Sequence, residues 1–130
     1  MLAMSLKRIL LSTLVLLAAA APGSARSTHS SSDGRWSVVI ITDAGTCDRT
    51  YRYGLVVSRG RIYYEGDSSV IISGGVDPRG RLSVSLRSGQ SAAQGSGRLS
   101  RSDGEGRWQG ESSGSSCSGR WLAQRRDQAP

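Results

Sequence analysis

Arg81–Arg87 reads RLSVSLR. In an extended chain Leu82, Val84 and Leu86 fall on one side and Ser83 and Ser85 on the other, the period-two alternation of a half-buried strand. The stretches around it repeat the pattern. Thr50–Ser58 puts Tyr51, Tyr53, Leu55 and Val57 on one face, with Arg52 and Gly54 opposite. Trp36–Thr42 turns Trp36, Val38 and Ile40 inward, while Val39 and Ile41 leave its second face partly apolar. Ser69–Val76 aligns Val70, Ile72, Gly74 and Val76. Between these runs, Ser58-Arg59-Gly60, Glu65-Gly66-Asp67, Asp77-Pro78-Arg79-Gly80 and Ser88-Gly89 carry turn chemistry. Beyond residue 25 no window of eleven residues holds a 3.6-residue apolar stripe, so helix is expected to be minimal.

A weak repeat points the same way. Gly-Arg-apolar occurs at Gly34, Gly60, Gly80, Gly97, Gly106 and Gly119, at intervals too irregular for a solenoid and suited to successive strands of a meander. Toward the C-terminus the inward positions shrink: Ala93, Gly95, Gly97 and Leu99, then Gly106, Trp108 and Gly110, then Cys117, Gly119, Trp121 and Ala123. Large tryptophans among glycines are what the interior of a small closed barrel requires. The chain is therefore expected to be all-β, a small antiparallel meander β-barrel of about eight strands over residues 34–125. A two-sheet β-sandwich is the alternative.

Length and composition bound the rest. The 130 residues carry a formal charge of +7 and make one domain with an appendage. Phe and Asn are absent, and there are 1 His, 2 Cys and 2 Met, too few for a clustered metal or haem site; no cofactor is expected. Residues 1–25 have the layout of a secretory signal peptide: Lys7-Arg8, an apolar run from Ile9 to Ala21, and small residues Gly23 and Ala25 before a cleavage point near Ala25. The run is short of the about 20 apolar residues that a membrane span needs, so no span is expected after cleavage, and the location is periplasmic or secreted. Residues 26–33 (RSTHSSSD) read as a disordered Ser-rich lead-in and 126–130 as a disordered tail. In an oxidising compartment Cys47 and Cys117, 70 residues apart and without a third Cys, are expected to pair as a disulfide.

Candidate chemistry is sparse. Gly110-Glu111-Ser112-Ser113-Gly114 matches the G-x-S-x-G string of serine hydrolases, but that motif needs a strand-to-helix elbow and a His further along. The one His, His29, precedes it. Glu65 and Asp67 are the nearest approach to a carboxylate pair and fall in a turn. A non-catalytic protein is expected. From residue 26 onward all 15 basic residues are Arg. Arg52 between Tyr51 and Tyr53, and Arg61 with Tyr63, are candidate surface contacts for an anionic ligand or a protein; export argues against nucleic acid. Trp36, Trp108 and Trp121, each in Gly-Arg-Trp, are placed in the core.

Gly34-Arg35-Trp36 resembles the G-x-W opening of lipocalins, avidins and the periplasmic inhibitors of secreted metalloproteases, in which the Trp plugs one end of the barrel. The inhibitors are similar in size and carry one disulfide, placed early in the chain rather than between positions like 47 and 117. A resemblance spanning residues 33–123 links the chain to uncharacterised short exported proteins of rhizobial-type Gram-negative bacteria. It rests on Asp33-Gly34-Arg35-Trp36-Ser37-Val38, Gly45-Thr46-Cys47, Tyr51-Arg52-Tyr53 and Cys117-Ser118-Gly119-Arg120-Trp121. Some members of that family carry haem-utilisation or adhesion labels; this chain holds no haem-like motif. The expected function is an exported binding module, a monomer, using the barrel mouth or a strand edge. The alternative is a protease inhibitor whose segment 26–33 enters a protease cleft.

Overall fold

The computed structural model describes residues 31–126. The signal peptide expected at 1–25, residues 26–30 of the lead-in and 127–130 of the tail lie outside the described residues. Eight strands follow one another: β1 (Gly34–Ala44), β2 (Thr50–Ser58), β3 (Arg61–Tyr64), β4 (Ile71–Val76), β5 (Arg81–Ser88), β6 (Ser91–Leu99), β7 (Asp103–Ser112) and β8 (Ser115–Arg125). Each pairs antiparallel with the next, and β1 pairs with β8 from Trp36 opposite Arg125 to Ala44 opposite Ser118. The result is a closed up-and-down barrel and not a sandwich. Closure leaves no free edge strand, so of the two surfaces open to the sequence reading the mouth remains.

Turn chemistry sets which strands are joined tightly. Arg59-Gly60 and Ser113-Gly114 are two-residue hairpin loops with positive φ at both positions (52° and 76°, 50° and 82°). That is the primed turn whose twist matches the strands it connects. The thinnest part of the wall is the β3–β4 seam, where Arg61 opposite Gly75 is the paired position and Val76 N–H reaches the Gly60 carbonyl at 2.7 Å. β4 starts two residues later than the alternation suggests: Ser69 and Val70 lie outside it, and Ile71 is 66% exposed.

The strands run between a closed end and a mouth. Inward residues at the closed end, Trp36, Val57, Ile62, Val76, Leu82 and Leu99, form the buried core together with Val38, Trp121 and Ala123. The chain entering β1 is part of this end. Trp36 donates its indole N–H to the Ser32 carbonyl at 2.9 Å, and Ser32 is buried. Asp33 accepts from the Arg59 and Gly60 amides. Arg125 lies over the Trp36 ring, 4.6 Å from its centroid, and its fork donates to the carbonyls of Ser31, Asp33 and Arg101. Residues 31–33, assigned by sequence to the lead-in, are thus packed against the barrel, because an unpaired indole N–H would be costly to bury. Arg126, assigned to the tail, also bonds to the barrel, through its backbone to Arg35 and its side chain to Glu65.

Candidate functional site

At the mouth the same alternation delivers different side chains. β2 turns Tyr51 and Tyr53 inward, with ring centroids 6.5 Å apart and planes 13° from parallel, and Tyr64 of β3 meets Tyr53 edge-on at 5.9 Å. The facing wall comes from β6 and β7, where Ala93 stands opposite Gly110 and Gly95 opposite Trp108. Small residues there leave the tyrosines without partners across the barrel. The space left is a cavity of about 240 Å³ that runs from Trp36 and Trp121 at depth to Ser88, Ser91 and Ser112 at the rim.

The cavity is apolar at depth, bounded by Ile40, Leu55, Val84 and Trp108. Trp108 is half-buried there rather than enclosed, its N–H satisfied by the Ile41 carbonyl at 2.9 Å. Trp121 donates to the Ser96 carbonyl at 3.0 Å and packs against the β6–β7 wall at Gly97 and Gly106. A methyl group on Gly97 or Gly106 would come within 2.5 Å of its ring, so those two positions must lack a Cβ for the indole to fit. At the rim the Ser91 and Ser112 hydroxyls bond to each other at 2.8 Å. Among the described residues Glu111 is the one charged residue bordering the cavity, and its place beside inward Gly110 and Ser112 turns it to the outer face. Burial pushes the Tyr53 phenol above its ordinary pKa, with smaller contributions from Tyr51 and Tyr64.

The disulfide shapes one lip of this mouth. Cys117 is an inward residue of β8, and its bond to Cys47 folds the β1–β2 loop against the barrel. Cys47 N–H points at the Cys117 sulfur at 3.1 Å. Thr42 donates its hydroxyl to the Asp48 carbonyl and its amide to the Arg49 carbonyl, and the Asp48 amide donates to the Tyr51 hydroxyl. The loop therefore holds Tyr51 in place.

The sequence-derived contacts Arg52, Arg61 and Tyr63 all lie on the outer wall and are exposed. Register separates them. Arg52 stands opposite Val39, whereas Arg61 stands opposite Ser58, six residues along β2 or about 20 Å of strand. They do not form one surface. Ser112 of the G-x-S-x-G string closes a β-hairpin, with no helix after it. Glu65 is clasped from outside by Arg35 and Arg126, which hold its carboxyl below the ordinary range, and Asp67 bonds to Ser69. Among the described residues no three of His, Cys, Asp and Glu come together to hold a metal ion. Searches against protein-family models, curated proteins and solved structures give no match to this chain.

Two features escaped the sequence reading. The tyrosine stack with its bare facing wall required knowing that β2 and β6–β7 lie across the barrel from each other. The pairing of arginines on the outside of β5–β8 required the register.

Proposed function

We propose that this protein is an exported, non-catalytic binding module that takes a small, uncharged, largely apolar ligand in the barrel mouth. The observation that carries this reading is the cavity itself: about 240 Å³, apolar at depth, flanked by stacked tyrosines and rimmed by serines. An apolar cavity of about 150 Å³ accommodates benzene, and drug-sized ligands occupy about 300–1,000 Å³. The size here suits a compact molecule of one or two rings. The tyrosines would stack on its faces and the serine hydroxyls would meet a polar edge. The Cys47–Cys117 disulfide is compatible with export.

The test is titration with 1-naphthylamine, a neutral two-ring fluorophore. Saturable one-to-one binding by the wild type, and its loss in Ala93→Phe with the fold retained by circular dichroism, supports the reading. No saturation, or equal binding by Ala93→Phe, overturns it.

One observation favours the inhibitor alternative. Ser31–Asp33 are fixed to the closed end by Trp36, Arg59 and Arg125, which gives any chain preceding them a defined exit. Deleting residues 26–30 leaves those contacts intact. If that deletion abolishes inhibition of a secreted zinc endopeptidase while the melting temperature is unchanged, the alternative is supported; if the full mature chain inhibits nothing, it falls.

A further inference from the structure

Four of the five outward arginines of β5–β8 stand in two like-charged pairs. Arg81 stands directly opposite Arg98, and Arg107 directly opposite Arg120. All four alternate with inward Leu82, Leu99, Trp108 and Trp121 and so point to solvent. Ser96 is opposite Arg107, which makes Arg98 and Arg107 diagonal neighbours and joins the two pairs into one patch, about 14 Å across three strand spacings. Like charges directly opposite in a sheet are destabilising.

Three carboxylates border these arginines. Asp43 holds Arg120 with two hydrogen bonds, at 2.9 and 3.2 Å, and its carboxyl is kept below the ordinary range chiefly by that contact, with Arg107 adding to it. Glu105 stands opposite Arg98. Asp103, two residues before Glu105 on the same outer face, is a diagonal neighbour of Arg98, so four guanidinium groups against three carboxylates leave an excess of +1. Between the pairs the wall is thin, because Gly97 and Gly106 face each other there. The shallow depression there is bordered by Leu82, Leu122 and Trp121, by Glu105 and by the four arginines.

We infer that this depression binds a phosphate or sulfate ester. Arg98 and Arg107 present their forks to the oxyanion, with Arg81 and Arg120 completing the field, and the glycine floor receives the organic part that carries the ester. Arginine forks match the oxygens of phosphate and sulfate bidentately, and a bound dianion relieves the repulsion within both pairs. The site is separate from the mouth, on the opposite side of the wall.

Calorimetric titration with inorganic phosphate and with glucose 6-phosphate, at low and physiological salt, tests it. The expected result is saturable binding of the ester, weakened at least tenfold in Arg98→Gln/Arg107→Gln and unchanged in Arg52→Gln. Without ligand, the same double variant should melt no lower than wild type, since it removes like-charge neighbours. Flotation with vesicles of phosphatidylglycerol, against phosphatidylcholine alone, separates the sources: binding to the anionic vesicles that depends on Arg98 and Arg107 assigns the ester to a lipid headgroup. Absence of binding to both ester and vesicles overturns the inference, and so does an equal loss in Arg52→Gln, which would reduce the effect to overall charge.

Discussion

The two ends of the barrel use the same alternating strands and differ in what stands across from each large side chain. At the closed end Trp36, Val57, Ile62, Leu82 and Leu99 meet one another and are buried, under a lid made by Ser32, Asp33 and Arg125. At the mouth Tyr51 and Tyr53 look across at Ala93, Gly95 and Gly110 and stay half-exposed. β6 and β7 remain in register from Leu99 opposite Gly104 to Ser91 opposite Ser112, whereas β3 and β4 pair at Arg61 opposite Gly75, toward the closed end. The cavity comes from small side chains on the β6–β7 wall, with the sparsely paired β3–β4 seam beside it. Stability is thus concentrated at one end and available volume at the other.

The sharpest way to test that division is Trp36→Ala. Replacing a buried Trp by Ala costs about 3–5 kcal/mol, and here it also leaves the Ser32 carbonyl and the Arg125 fork without the ring they pack on. The expected outcome is a protein largely unfolded at 37 °C by circular dichroism. Tyr53→Ala at the mouth should stay folded and lose binding of the neutral fluorophore. Equal destabilisation by the two variants would erase the contrast.

Reducing the disulfide probes the mouth. Chain-entropy reasoning gives a closed loop of this length about 4 kcal/mol, so reduction should lower the melting temperature clearly. Hydrogen exchange should speed up first around residues 45–50 and 115–118, with β1 near Trp36 still protected. Uniform acceleration throughout the barrel would show that the ends do not behave separately.

The smallest effect is electrostatic. Hydrogen bonds from Arg126, then from Arg35, hold the Glu65 carboxyl below its ordinary pKa. Its folded value is therefore lower than its unfolded one, so the clasp contributes fully above the ordinary carboxylate range and is lost as pH falls through the lower folded value. The melting-temperature difference between wild type and Glu65→Gln should shrink as pH falls from about 6 to about 3. A difference independent of pH would mean that this exposed clasp adds nothing.

Much of the fold was legible because alternation is local. RLSVSLR in β5 shows its buried face without reference to any other strand, and the glycine-tryptophan series of β6–β8 shows which inward positions are large and which are bare. The disulfide was legible from the count of cysteines together with the signal-peptide layout expected of residues 1–25. Ser31–Asp33 were misread for the converse reason. Nothing polar and Ser-rich looks structured in isolation, and the Trp36 N–H, the β2–β3 turn amides and Arg125 that bind these residues come from other parts of the chain. Arg52 and the Arg61–Tyr63 pair were each legible as an arginine beside tyrosines, and only the register shows that Arg52 lies well away from the other two along the outer wall.

By itself the sequence determined which side of each strand faces inward, how large each inward residue is, and where the tight turns fall. Those properties depend on a two-residue period and on φ preferences that neighbouring residues set. Only the tertiary structure decided that β1 meets β8, that tyrosines face glycines across the mouth, and that Arg81 meets Arg98 while Arg107 meets Arg120. Each of those depends on the stagger between strands distant in the chain, and the stagger is set by closing eight hydrogen-bonded strands into one ring.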